Sequence, residues 1–187
     1  MGLRLNLGCG NNLSQGYVNV DKLNLPGIDR QVDLETFPWP WETSSVETVV
    51  FNHVLEHLGQ APDIFIGIMK ELYRVCAPDA TVLVNVPHPR HDHFITDPTH
   101  VRPILPATFH LFSKRINREV IAERGANSLM GLWHDVDFEV VSTNYILDRR
   151  FDHLHGKPEL EQSMKTLYGV VREIKMKLRV VKETAAP

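Results

Sequence analysis

Cysteine is scarce in this chain. Cys9 and Cys76 are the only two among 187 residues, too few for a disulfide framework, and Cys9 lies inside a glycine turn. A reducing, cytoplasmic setting is therefore expected. No apolar run approaches the roughly 20 residues that a membrane span needs, and residues Arg4 and Asn6 interrupt what would be the apolar core of a signal peptide. Neither a span nor a leader is expected. An excess of one charge is missing as well: 20 Lys and Arg against 23 Asp and Glu leave a formal net charge of -3, which provides no general field for nucleic acid or anionic lipid. Internal repeats and low-complexity tracts are absent, and the length is that of one domain with a substantial core.

What is present begins at the N-terminal end. Leu3, Leu5 and Leu7 alternate with Arg4 and Asn6 as in a short strand, which stops at Gly8-Cys9-Gly10. Glycine tolerates positive φ and lets a ligand approach the backbone. A second apolar segment, residues 17–20, ends in Asp21, where the ribose of a nucleotide-type cofactor meets an acceptor in a doubly wound sheet. Residues 31–34 offer a third strand carrying Asp33, and alternating prolines stiffen the Phe-Pro-Trp-Pro-Trp loop at 37–41, whose indoles read as aromatic plugs.

The apolar, β-branched run 46–51 has the pattern of a central parallel strand. From Pro62, residues Ile64, Phe65, Ile68, Met69, Leu72 and Val75 recur at helical spacing up to Pro78. Another buried strand follows at 81–86, so the order is that of an α/β fold with a mostly parallel sheet, and residues 138–147 suggest one or two antiparallel edge strands. One helix is expected over 106–120. Residues 158–182 show Leu160, Met164, Leu167, Val171, Ile174, Leu178 and Val181 at alternating spacings of four and three, which predicts a long amphipathic C-terminal helix with a heptad seam, a possible homo-oligomerisation element beside a domain of residues 1–157.

The glycine turn, Asp21, Asp33, the string Asn52-His53-Val54-Leu55-Glu56-His57 and the Arg74-Val75-Cys76-Ala77-Pro78 turn, in that order, resemble the class I S-adenosylmethionine-dependent methyltransferases, most closely the methyltransferase-11-like group. The resemblance covers residues 3–87. It implies a Rossmann-like, doubly wound sheet, S-adenosyl-L-methionine as cofactor and an unidentified methyl acceptor. Carried over residue by residue, Gly8, Cys9 and Gly10 with Asn6 and Leu7 line the methionine and ribose part, with the cofactor carboxylate on N–H groups at a following helix start. Asp21 takes the ribose hydroxyls, Lys22 flanks the adenine, Asp33 and Leu34 meet its edge, and Asn52 and His53 close the site. Asn6 departs from the acid usual at its position. A helix before the first strand is usual in the family, and a partner or the terminal helix would take its place here.

Histidines supply candidates for a catalytic base: His57, His91 and His100, with His53 and His93 as further possibilities. No metal is assigned. Two other readings stand beside the transferase. One is a cofactor-binding protein without transfer activity that acts through a partner. The other takes His53-Val54-Leu55-Glu56-His57 as the H-x-x-E-H zinc-peptidase signature, which requires both histidines on one long helix.

Overall fold

The computed structural model describes residues 2–182, and within them seven strands form one mixed sheet. The strands are β1 (Leu3–Leu7), β2 (Val18–Asp21), β3 (Arg30–Gln31), β4 (Val46–Asn52), β5 (Cys76–Pro87), β6 (Phe138–Leu147) and β7 (Val171–Val180). Their spatial order is β3-β2-β1-β4-β5-β7-β6, with every pair from β3 to β5 parallel and β7 antiparallel to both neighbours. The expected central strand is indeed the fourth of seven. The chain winds outward from β1 to β3, then resumes on the other side of β1 at β4, so a topological switch point lies between β1 and β4.

Helices are α1 (Pro62–Val75), α2 (Asp92–Ile95), α3 (Pro106–His110), α4 (Lys114–Ala122), α5 (Met130–Trp133) and α6 (Glu159–Thr166). Helix α1 starts at Pro62 in its first position, where the missing N–H costs nothing, and buries Phe65, Ile68, Met69, Leu72 and Val75. These residues share a core with Leu5, Leu7, Val49, Phe51, Val82, Val84 and Val86, alternate positions that face one side of the sheet. Phe109, Phe112 and Phe138 join the same core. The span 106–120 is two helices rather than one, because Ser113 caps the second by accepting a hydrogen bond from the Ile116 N–H.

The groove on the other side of the sheet is lined by strand and loop residues alone. No helix lies between β1 and β2, between β2 and β3, or between β3 and β4. The doubly wound strand order is therefore present while its second layer of helices is not. Over β1 and β2 the loop 10–17 lies across this side, held by Asn6 and by Arg4, whose guanidinium stacks on Tyr17. Over β4, β5, β7 and β6 the side chains of Val50, Asn52, Leu83, Asn85, Lys175, Lys177, Ser142 and Asn144 line an open groove.

The long C-terminal helix does not form. Residues 159–166 are helical, but Gly169 takes φ +72° and residues 171–180 run as β7, hydrogen-bonded on both edges. The heptad spacing overlooked Met176 and Val180. Ile174, Met176, Leu178 and Val180 alternate with Lys175, Lys177 and Arg179, a period of two that buries the first set and exposes the second. Leu160 and Met164 pack instead on a small satellite core of Leu147, Val170 and Val171.

The Pro-Trp loop is a structural plug. Trp39 and Trp41 are buried edge to face, and the Arg74 guanidinium donates to both of their carbonyls while pairing with Glu71 at 2.7 Å. That pairing raises Arg74 and lowers Glu71 from their ordinary pKa values.

Candidate active site

At the carboxyl ends of the parallel strands, across the switch point, lies a pocket of about 370 Å³. Such a volume falls within the usual range of small-molecule sites, roughly 300–1,000 Å³. Gly8, Asp21, Lys22, Asp33, Leu34 and His53 line it, six of the residues carried over from the resemblance, joined by Val32, Glu35, Val54, His57, Leu58 and Thr99. Parallel strands end side by side, so loops far apart in sequence converge here.

The glycine turn follows from its backbone. Gly8 has φ +63°, and a Cβ there would meet Val54 Cγ1 at 2.6 Å; Gly10 has φ +49° with open space where a Cβ would be. The Gly10 N–H donates to Asp21 Oδ2 at 2.8 Å, and the Leu23 N–H donates to Asp21 Oδ1 at 2.9 Å. Each carboxylate oxygen thus accepts one fixed donor and keeps a second lone pair for a ligand hydroxyl. Asp33 is held in the same way by the Glu35 N–H, and Glu35 Oε1 in turn accepts from the Gly59 N–H. The lining holds three carboxylates against one lysine, which favours a cationic ligand. No α-helix follows the glycine turn, so the helix-start N–H groups expected for a cofactor carboxylate are not present there.

His53 stands just past β4 with φ +56°, its Nδ1 3.4 Å from Glu56 Oε1. The neighbouring carboxylate raises the His53 pKa above the ordinary histidine value, against the opposing effect of burial. Residues Leu55–His57 form a single 3₁₀ turn. The helical spacing that a zinc-peptidase signature requires is therefore missing, and His53 does not join His57. His57 meets His100 instead, ring centroids 4.6 Å apart, with Glu56 buried beneath them.

The remaining sequence candidates lie elsewhere. Leu7 is core, facing α1, and Cys9 is buried with its N–H on the Val20 carbonyl and its pKa raised by burial. Asn6 and Asn52 lie in the groove on the open side of the sheet. The Asn6 amide donates to the Asn12 carbonyl and to Asn19 Oδ1, which fastens the loop after the glycine turn. His91 is buried and is not among the pocket-lining residues; its Nδ1 accepts from the His93 N–H and its Nε2 sits 3.1 Å from Asp148. His93 meets His91 edge to face, ring centroids 4.6 Å apart. Glu56 and Thr99 were not among the sequence candidates. Glu56 stands in the Asn52 to His57 string and in the peptidase signature but carries no site role in either, and nothing in the sequence marks Thr99.

No protein-family model matches the sequence, and no curated protein matches it. Solved structures do. An S-adenosylmethionine-dependent methyltransferase from Archaeoglobus fulgidus superposes with a TM-score of 0.55 at 15% identity, covering 95% of this chain and 86% of that one. The chain has the class I S-adenosylmethionine-dependent methyltransferase fold. Other bearers of this methyltransferase fold show its range. A putative methyltransferase from Haloferax volcanii, solved in complex with a methyltransferase activator, gives a TM-score of 0.54 at 12% identity over 97% of this chain and 83% of its own. A 4+2 cyclase gives 0.54 at 15% identity over 97% and 76%.

Proposed function

We propose that this protein is a methyltransferase that binds S-adenosyl-L-methionine in the pocket between Gly8, Asp21, Asp33 and His53. The observation that carries the reading is the pinned Asp21 carboxylate beside the open glycine turn at the switch point. A dinucleotide is the main rival ligand for such a sheet. The helix start after the first glycine turn that ordinarily receives its pyrophosphate is missing here, as it is for the carboxylate of S-adenosylmethionine, so the charge of the pocket lining separates the two. A carboxylate-rich pocket suits a sulfonium and an ammonium and repels a pyrophosphate.

When bound, the cofactor supplies an electrophilic methyl group. The chain's own work is then to hold and orient: Asp21 accepts from ribose hydroxyls, Asp33 and Leu34 bound the adenine end, and Val54 and Leu58 exclude water from the apolar wall. His57 lies on the pocket wall next to the space an acceptor would enter, its Nδ1 engaged by Thr99 Oγ1 at 2.9 Å. Calorimetric titration with S-adenosylhomocysteine tests the reading. Binding that weakens at least about tenfold in Asp21→Ala is expected, as for loss of a charged hydrogen-bond acceptor. No measurable binding, or binding indifferent to that change, sinks it.

The open side of the sheet supports a second reading, in which the same pocket binds the cofactor and a partner completes the activity. One neighbour was solved with an activator bound, and another is a cyclase, so the fold alone does not fix the reaction. Homocysteine-release assays with and without cell extract separate the two.

A further inference from the structure

Glu56 is 1% exposed, and neither carboxylate oxygen has a hydrogen-bond partner. A buried carboxylate in that condition is unfavourable unless a cation compensates it. His53 comes within ion-pair distance of one oxygen without forming a hydrogen bond to it. Two more potential donors converge on the same spot. One ligating atom each from Glu56, His57 and His100 lie within 4.8 Å of one another.

The hydrogen bonds around the two imidazoles fix which nitrogens are free. His100 Nδ1 is 2.7 Å from the Phe94 carbonyl oxygen, which only accepts, so Nδ1 carries the proton; Nε2 keeps its lone pair and lies 3.8 Å from Asp97 Oδ2, outside hydrogen-bond range. Thr99 Oγ1 donates to Asp97 Oδ1 at 2.6 Å, so at 2.9 Å from His57 Nδ1 it serves as an acceptor. His57 is thereby protonated at Nδ1 with Nε2 free. A carbonyl behind one histidine and a carboxylate-anchored hydroxyl behind the other are the supports that orient imidazoles toward a metal ion. His100 is further steadied by stacking on Phe94.

We infer that Glu56, His57 and His100 form a binding site for a divalent first-row transition metal ion at the wall of the cofactor pocket. Two imidazoles and one carboxylate suit zinc, iron(II) or manganese(II) and leave at least one coordination position for a further ligand. Because His57 and Thr99 also line the pocket, that position is next to the space an acceptor enters. On the transferase reading, on which this last step rests, the acceptor class is a small molecule that presents an oxygen to the ion, such as a phenol, a hydroxy acid or a vicinal diol.

Cobalt(II) is the probe, added to chelator-treated full-length protein and followed by visible absorption and calorimetry. One equivalent is expected to bind with ligand-field bands of a nitrogen- and oxygen-coordinated ion. Glu56→Gln, which keeps the shape of the buried side chain, and His100→Ala are each expected to abolish the bands. Thr99→Val, at an exposed position outside the ligand set, is expected to weaken binding about 10- to 100-fold by removing the support behind His57. Absence of saturable binding, or binding that is unchanged in both Glu56→Gln and Thr99→Val, overturns the site. S-adenosylhomocysteine titration of the same samples keeps the two readings apart: cobalt binding as described without nucleoside binding upholds the ion site and overturns the cofactor assignment.

Discussion

The two sides of the sheet are made by the same strands and have opposite characters. Along β4, β5 and β7 one set of alternate residues, among them Phe51, Val84 and Leu178, is buried against α1 and the α3–α5 region. The other set, among them Asn52, Asn85, Lys175 and Lys177, borders an open groove of about 660 Å³. The first side holds the fold together, and the second contributes little to stability and is free to meet something else. The candidate cofactor pocket sits at the strand ends, and none of its lining residues borders that groove.

Thiol chemistry gives the largest contrast. Burial raises the Cys76 pKa to about 12, so almost no thiolate exists there at pH 8, and Cys9 is buried too. In Lys177→Cys, the new thiol on the open side should react with an aromatic disulfide reagent faster than Cys76 by a factor on the order of 1,000, following the difference in thiolate fraction. Equal protection of the new thiol would mean that this side is covered in solution. Stability gives the next contrast. Phe51→Ala removes a fully buried ring and should cost about 3–5 kcal/mol in urea unfolding, whereas Lys177→Ala should stay within about 0.5 kcal/mol.

Gly8→Ala tests the pocket at the strand ends. It places a Cβ at positive φ against Val54, a strain on the order of 1–3 kcal/mol, and should impair S-adenosylhomocysteine binding more than it lowers stability. A variant that binds normally would remove the glycine turn from the site. The smallest effect concerns the far edge. Arg150 and His91 hold the Asp148 pKa well below the usual carboxylate range. A depressed carboxylate contributes stability above its unfolded value of about 4, and that contribution is lost as pH falls below it. Acid unfolding of Asp148→Asn should accordingly show a slightly weaker pH dependence than the parent between about pH 5 and 3.

The covered side was legible in the sequence, and the open side was not. Alternation in Leu3–Leu7 and Val46–Asn52, and the helical spacing of Phe65, Ile68, Met69, Leu72 and Val75, are local signals that survive folding. Strand β7 was misread because Val171, Ile174 and Leu178 fit a seven-residue repeat as readily as a strand. Only Met176 and Val180, taken together with the intervening lysines, distinguish the two periods. The missing helix layer leaves no mark on the strands that do form. At the site, Gly8, Asp21, Asp33 and His53 were readable because each ends or follows a parallel strand, and parallel strand ends must converge. The Glu56, His57 and His100 cluster was not, since it needs a loop some 40 residues downstream to fold back, as the contact between His57 and Thr99, 42 positions apart, also does. Asn6 reads as a cofactor contact by position and is occupied in fastening its own loop.

Hydrogen exchange by mass spectrometry, with and without S-adenosylhomocysteine, tests the central claim that the cofactor site lies at the strand ends around Asp21. Protection is predicted in the peptides that contain Gly8–Gly10, Asp21, Asp33 and His53–Leu58, with β6 and β7 unchanged. No protection anywhere, or protection confined to β6 and β7 on the open side, would contradict it.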